Sequence, residues 1–180
     1  MNLIPLAPGD ERPLNRTLMV RALRTFHPVP SLGYLIYERV KKLRAEYRER
    51  SGGEIKELRA SGVEIHELLE RPKLAYLTDT LPEALRHAPE ALEAEVLIIE
   101  CTFSGARKGV EVARAGCHIH LDELERWAPL MHNRAVVLMH FSQIDKPSEL
   151  RARLHARLNP ILGERLHLFL PPEGSDQWWI

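Results

Sequence analysis

Three apolar runs in this chain each stop abruptly at a polar residue that can bind a cation or carry a proton. They are LAYLTD ending at Asp79, VLIIE ending at Glu100 and VVLMH ending at His140. Val96–Ile99 and Ala135–Met139 are continuous in apolar character and too short for amphipathic helices, so they read as strands buried on both faces. Between and after them the spacing predicts helices over Pro82–Ala94, Leu121–Met131 and roughly 147–158, then a last strand over 165–171. Upstream, Thr17–Phe26 and 33–40 alternate as strands, and Leu74–Leu77 forms a short third one. A β-rich first half followed by βα alternation predicts an α/β domain: a mixed sheet with its helices packed outside.

Residues 41–60 are heavily charged and interrupted by Gly52-Gly53, which suggests two short solvated helices within a protruding insertion over 41–71. Residues 104–117 read as a loop, and 172–180 as a loose tail whose Trp178 and Trp179 offer apolar surface for docking. The domain proper is therefore 1–171. Lys+Arg and Asp+Glu each number 25, so net charge gives no sign of a nucleic-acid partner. Cys101 and Cys117 are too few for a disulfide scaffold and read as free thiols in a reducing compartment. No apolar run approaches the roughly 20 residues that span a bilayer, and the amino terminus lacks the pattern of a secretory leader, so the expectation is cytoplasmic.

In open α/β sheets a strand aims its terminal side chain into the crevice where ligands bind. Asp79, Glu100 and His140, with His27 at the end of the Thr17–Phe26 strand, have the composition of a site for zinc, manganese or iron. Each has a structural alternative: His27 as a turn residue before Pro28, Asp79 as a helix cap, His140 as a hydrogen-bonded core histidine, Glu100 as a buried carboxylate paired to backbone. The segment CHIHLDEL (117–124) falls one residue short of the metal motif HxHxDH. It lacks a delivering strand, since VEVARAG precedes it, and a helix pattern follows. His118 then lies on the loop into that helix, His120 is a weaker companion, and Asp122 and Glu123 face water in the first turn.

The segments FHPVPSLGYLIYE, LAYLTDT, LIIECTF, GCHIHLDEL and VVLMHFS occur in order, and over residues 17–145 the chain resembles the carboxyl half of tRNase Z-like members of the metallo-β-lactamase superfamily. The resemblance implies a partial metallo-β-lactamase (αββα-type) fold whose amino-terminal half is absent. It implies metal ligation by His27, Asp79 and His140, with His118 beside the scissile phosphate protonating the leaving group, and Glu100 as the acidic residue supporting them. The cofactor so implied is zinc, one or two ions, with manganese or iron as alternatives, and the substrate is a phosphodiester of RNA type. Thr78 stands where the family usually has glycine, Ile119 where it has a small residue, and Gln143-Ile144 depart from its usual continuation.

The motif HxHxDH is absent, and residues 1–26 contain no histidine. Three ligands could hold one ion but not rebuild a pair. One face of the strands at 96–100 and 135–139 would also lack a covering sheet. These absences predict a chain inactive alone, completed by an amino-terminal half chain or associating as a homodimer. The competing readings are a non-catalytic interaction module that retains a half site, and a plain α/β domain with structural histidines.

Overall fold

The computed structural model describes residues 3–178. Seven strands form one sheet in sequence order. β1 (Glu11–Pro13), β2 (Leu18–Arg24), β3 (Leu32–Leu43) and β4 (His66–Leu77) pair antiparallel, while β5 (Val96–Glu100), β6 (Ala135–Met139) and β7 (Leu166–Leu168) continue parallel from β4. The parallel half requires crossovers, and α2 (Glu83–His87), α3 (Val110–Ala115), α4 (Leu121–Trp127) and α5 (Pro147–Leu162) supply them.

A single core lies between the sheet and these helices. Leu35, Ala75, Leu77, Leu97, Ile99, Val136 and Leu138 form its sheet side. Leu150, Leu154, Leu158 and Leu162 recur every fourth residue and form one buried stripe along α5. The opposite sheet face is only partly covered: Val96, Ile98, Ala135, Val137 and Met139 are all half-buried. The expectation of burial on both faces therefore fails.

Several sequence expectations need correction. β3 and β4 are a long two-stranded ribbon reaching Leu43 and starting again at His66, not two short strands. Charged residues and Pro72 conceal it. The register shifts between Ile36 and Tyr37, where Pro72 pairs with Tyr37, and such a bulge tolerates a residue without an N–H. Gly52-Gly53 does not break two helices but begins one, α1 (Gly52–Ala60), after a single 3-10 turn at Ala45–Tyr47. Ser51 and Glu54 close a reciprocal capping box there, and α1 buries no residue. The segment 104–117 contains α3 and a 3-10 turn rather than loop alone. Trp178 packs against the core and donates to the Asp145 carbonyl at 3.3 Å; Trp179 falls outside the described residues.

Gly33 marks where β2, β3 and β4 meet most closely. A Cβ there would lie 2.5 Å from Leu77 Cδ2 and 2.9 Å from the Tyr76 carbonyl oxygen. Because a backbone atom cannot swing aside, Gly33→Ala is expected to lower unfolding stability by about 1–3 kcal/mol, read as a fall in denaturant midpoint. An unchanged midpoint would contradict this packing. Among the described residues no helix is long and apolar enough to cross a membrane.

Candidate metal centre

Asp79, Glu100 and His140 do lie at or just beyond the carboxyl ends of neighbouring strands β4, β5 and β6. Asp79, His118 and His140 each bring a ligand atom to within 4.8 Å of the others, with donors suited to a divalent cation. His27 stands beside this group: its ring is 5.5 Å from that of His118, and its Nδ1 faces the Val29 backbone. The rings of His118 and His140 are 5.3 Å apart.

Backbone strain concentrates at the same place. Among the described residues, the only non-glycine positive φ angles are at Asp79 (49°), Cys117 (58°) and His140 (58°). Such conformations cost on the order of 1–3 kcal/mol each and persist only where the surroundings hold them. Two of the three are members of the group, and Cys117 sets the direction of His118.

Glu100 is what holds the site together. It is fully buried, and both oxygens accept hydrogen bonds: Oε1 from Thr80 N–H at 2.5 Å, and Oε2 from Ile119 N–H at 3.1 Å and the Thr102 hydroxyl at 2.5 Å. Glu100 thereby ties the strand end carrying Asp79 to the loop carrying His118. His118 Nδ1 lies 3.1 Å from Oε2, so an Nδ1–H donates to the carboxylate and Nε2 is left free for a proton or a ligand.

Thr102 extends this control to His140. Its one proton goes to Glu100, so its oxygen accepts from His140 Nδ1, 3.0 Å away. His140 Nε2 then presents a lone pair 3.1 Å from Asp79 Oδ1, a solvent-shielded oxygen that accepts no hydrogen bond. Two acceptors that close repel, and a cation between them makes the arrangement favourable. This orphaned carboxylate oxygen is the observation that fits the residues to a metal. Thr102→Val keeps the shape but frees the His140 ring, and should weaken zinc binding about 10–100-fold with the fold intact, as isothermal titration will read. Unchanged affinity would show that Thr102 does not orient His140.

Thr102 was not anticipated, although a signal existed: two residues beyond Glu100, it shares that residue's side of an extended chain. His120 caps α4, accepting from Asp122 N–H at 3.1 Å, and is buried away from the group. Of the two acidic residues expected to face water, Asp122 is half-exposed and pairs with Arg157 at 3.0 Å. Glu123 is instead buried and bound by Arg114 at 2.6 Å, because the first turn of α4 packs against the end of α3. Complete burial, with the Glu100 carboxylate nearby, pushes the Cys101 thiol up and leaves it unreactive.

No protein-family model matches the chain. Over 164 residues it is 37% identical to tRNase Z TRZ1 of Arabidopsis thaliana, which covers 90% of this chain. The chain is thus similar to a tRNase Z over most of its own length. It is also 37% identical over 154 residues, 84% of its length, to the chloroplastic tRNase Z TRZ2 of the same plant. The chain spans about half the length of the curated relatives it matches, 59% of the first and 43% of the second. Its fold is shared with the metallo-beta-lactamase fold protein YhfI of Bacillus subtilis, with a TM-score of 0.55 at 13% identity, covering 98% of this chain and 54% of that one. The sheet and its outer helices are thus part of a metallo-β-lactamase fold.

Proposed function

We propose that this chain is the carboxyl-terminal half of a metal-dependent hydrolase that cleaves phosphodiester bonds of RNA. The observation that carries this reading is the orphaned Asp79 Oδ1 facing His140 Nε2 in a tRNase Z-like sequence. Asp79 and His140 would hold a zinc ion, with His27, whose ring lies beside that of His118, as the third ligand that the resemblance implies. When bound, the ion supplies positive charge that polarises a phosphoryl oxygen and acidifies water. His118, anchored through Nδ1 to Glu100, delivers a proton from Nε2 to the leaving oxygen. Glu100 positions that imidazole.

An amino-terminal half, on this reading, would bear the ligands for the second ion. Its sheet covers the half-buried face formed by Val96, Ile98, Ala135, Val137 and Met139. Pairing of two identical chains through that face is the other way to cover it. The two free thiols suit a reducing compartment, and we place the protein in the cytoplasm.

The assignment separates His27 from His118 by experiment. Zinc per chain, measured by atomic emission after dialysis, should fall in His27→Ala and stay near wild type in His118→Ala. Retention by the first with loss by the second would exchange their roles. The isolated chain loaded with zinc should hydrolyse a chromogenic phosphodiester at background rate; robust turnover would contradict the need for a second half.

A further inference from the structure

Outside the metal group, a cleft of about 310 Å³ lies where α2, α3 and α4 meet. That volume lies at the small end of the range for ligand sites. Its chemistry comes from Glu83, Arg86, Arg114, Glu123, Arg126 and Trp127. Arg114 pairs with both carboxylates, at 2.6 Å to Glu123 and 3.4 Å to Glu83. Arg86 and Arg126 have no carboxylate partner among the described residues, and Arg86 lies 6.0 Å from the centre of the Trp127 ring. The cleft thus offers two guanidinium groups without carboxylate partners, one of them, Arg86, over the Trp127 ring.

A second observation also points to a ligand. Glu83 and Glu123 each give one oxygen to Arg114, and the other oxygen of each is buried without a hydrogen-bond partner. Glu123 itself is 5% exposed, so its uncompensated oxygen carries a real desolvation cost. A ligand that completes the cleft needs an anionic group for the free arginines, a flat ring beside Trp127 and the Arg86 guanidinium over it, and an N–H donor for the Glu83 side chain, which is one-third exposed. A nucleotide with an amino-bearing base has all three, since guanidinium groups clasp phosphate and bases stack on aromatic rings.

The position suits a strand passing through the metal group. Glu83 is four residues beyond Asp79, and Arg114 is four residues before His118. At roughly 3.3–3.6 Å per residue, each wall lies within about 14 Å of the group through the chain alone. The Arg114–Glu123 pair also ties together the two sides of the loop that bears His118.

We propose that this cleft is a nucleotide-binding subsite, taking one amino-bearing nucleotide of an RNA strand adjacent to the cleaved bond. The choice of RNA rests on the proposed function, but binding at the cleft requires neither metal nor the missing half. The test is titration of the full, isotope-labelled chain with adenosine 5′-monophosphate in the presence of a chelator, followed by nuclear magnetic resonance. The Trp127 indole N–H, assigned with Trp127→Phe, should shift. The double variant Arg86→Glu/Arg126→Glu, at two exposed positions, should weaken binding at least tenfold, whereas Asp79→Ala should bind as wild type does while losing zinc. Inorganic phosphate binding equally well, or uridine 5′-monophosphate doing so, would overturn the assignment. So would a silent Trp127, an unaffected double variant, or dependence on Asp79. Failure of the wild type to bind zinc in a separate titration without chelator, with nucleotide binding intact, would overturn the hydrolase reading alone.

Discussion

Mixing the chain with an amino-terminal half that carries an HxHxDH strand should convert background hydrolysis of an RNA phosphodiester into sustained turnover. The expected gain is large because a second ion stabilises the attacking and leaving oxygens together. An effect of several kcal/mol on the barrier is roughly a thousandfold or more in rate. The sheet supplies a reason for the halves to associate: five half-buried apolar side chains on β5 and β6 face away from the core. Burying them returns about 25 cal/mol per Å² of apolar surface. The measurement is initial rate against added amino-terminal half at fixed zinc. A rise that saturates supports the split enzyme, and a flat line while the two halves co-elute supports the interaction-module reading instead.

Glu100→Ala should be among the most destabilising single substitutions in the chain. It strands the buried N–H groups of Thr80 and Ile119, and leaves Thr102 and His118 without their acceptor. Removing one member of a buried, hydrogen-bonded charged network costs about 3–5 kcal/mol. Urea unfolding should show a midpoint far below wild type, with zinc affinity falling in parallel as the strand end bearing Asp79, and Thr102, which orients His140, lose their common anchor. A midpoint within about 0.5 kcal/mol of wild type would mean that these donors find water, and that Glu100 is no structural hub.

The parallel half of the fold was legible because β5 and β6 are continuous apolar runs and the stripe of α5 has a clean period. The β3–β4 ribbon was not, since its outer half is charged on both sides and only pairing across the bulge holds it in register. Strand endings located Asp79, Glu100 and His140, as a side chain at a strand end has one direction to point. His118 was harder to place from the residues. Its position depends on a positive φ at Cys117 and on a carboxylate 18 residues away, and neither leaves a local pattern. Glu123 misled for a similar reason. A carboxylate in a first helical turn ordinarily faces solvent, but the end of α3 covers this one and Arg114 neutralises it.

Everything proposed for the site rests on Asp79 and His140 facing each other across a cation. Zinc bound per chain, measured after equilibrium dialysis of the wild type, Asp79→Ala and His140→Ala, tests that claim most directly. Close to one ion is expected in the wild type and at least a hundredfold weaker binding in each variant, with folded circular dichroism spectra throughout. Equal zinc content in all three proteins would show that these residues do not form a metal centre.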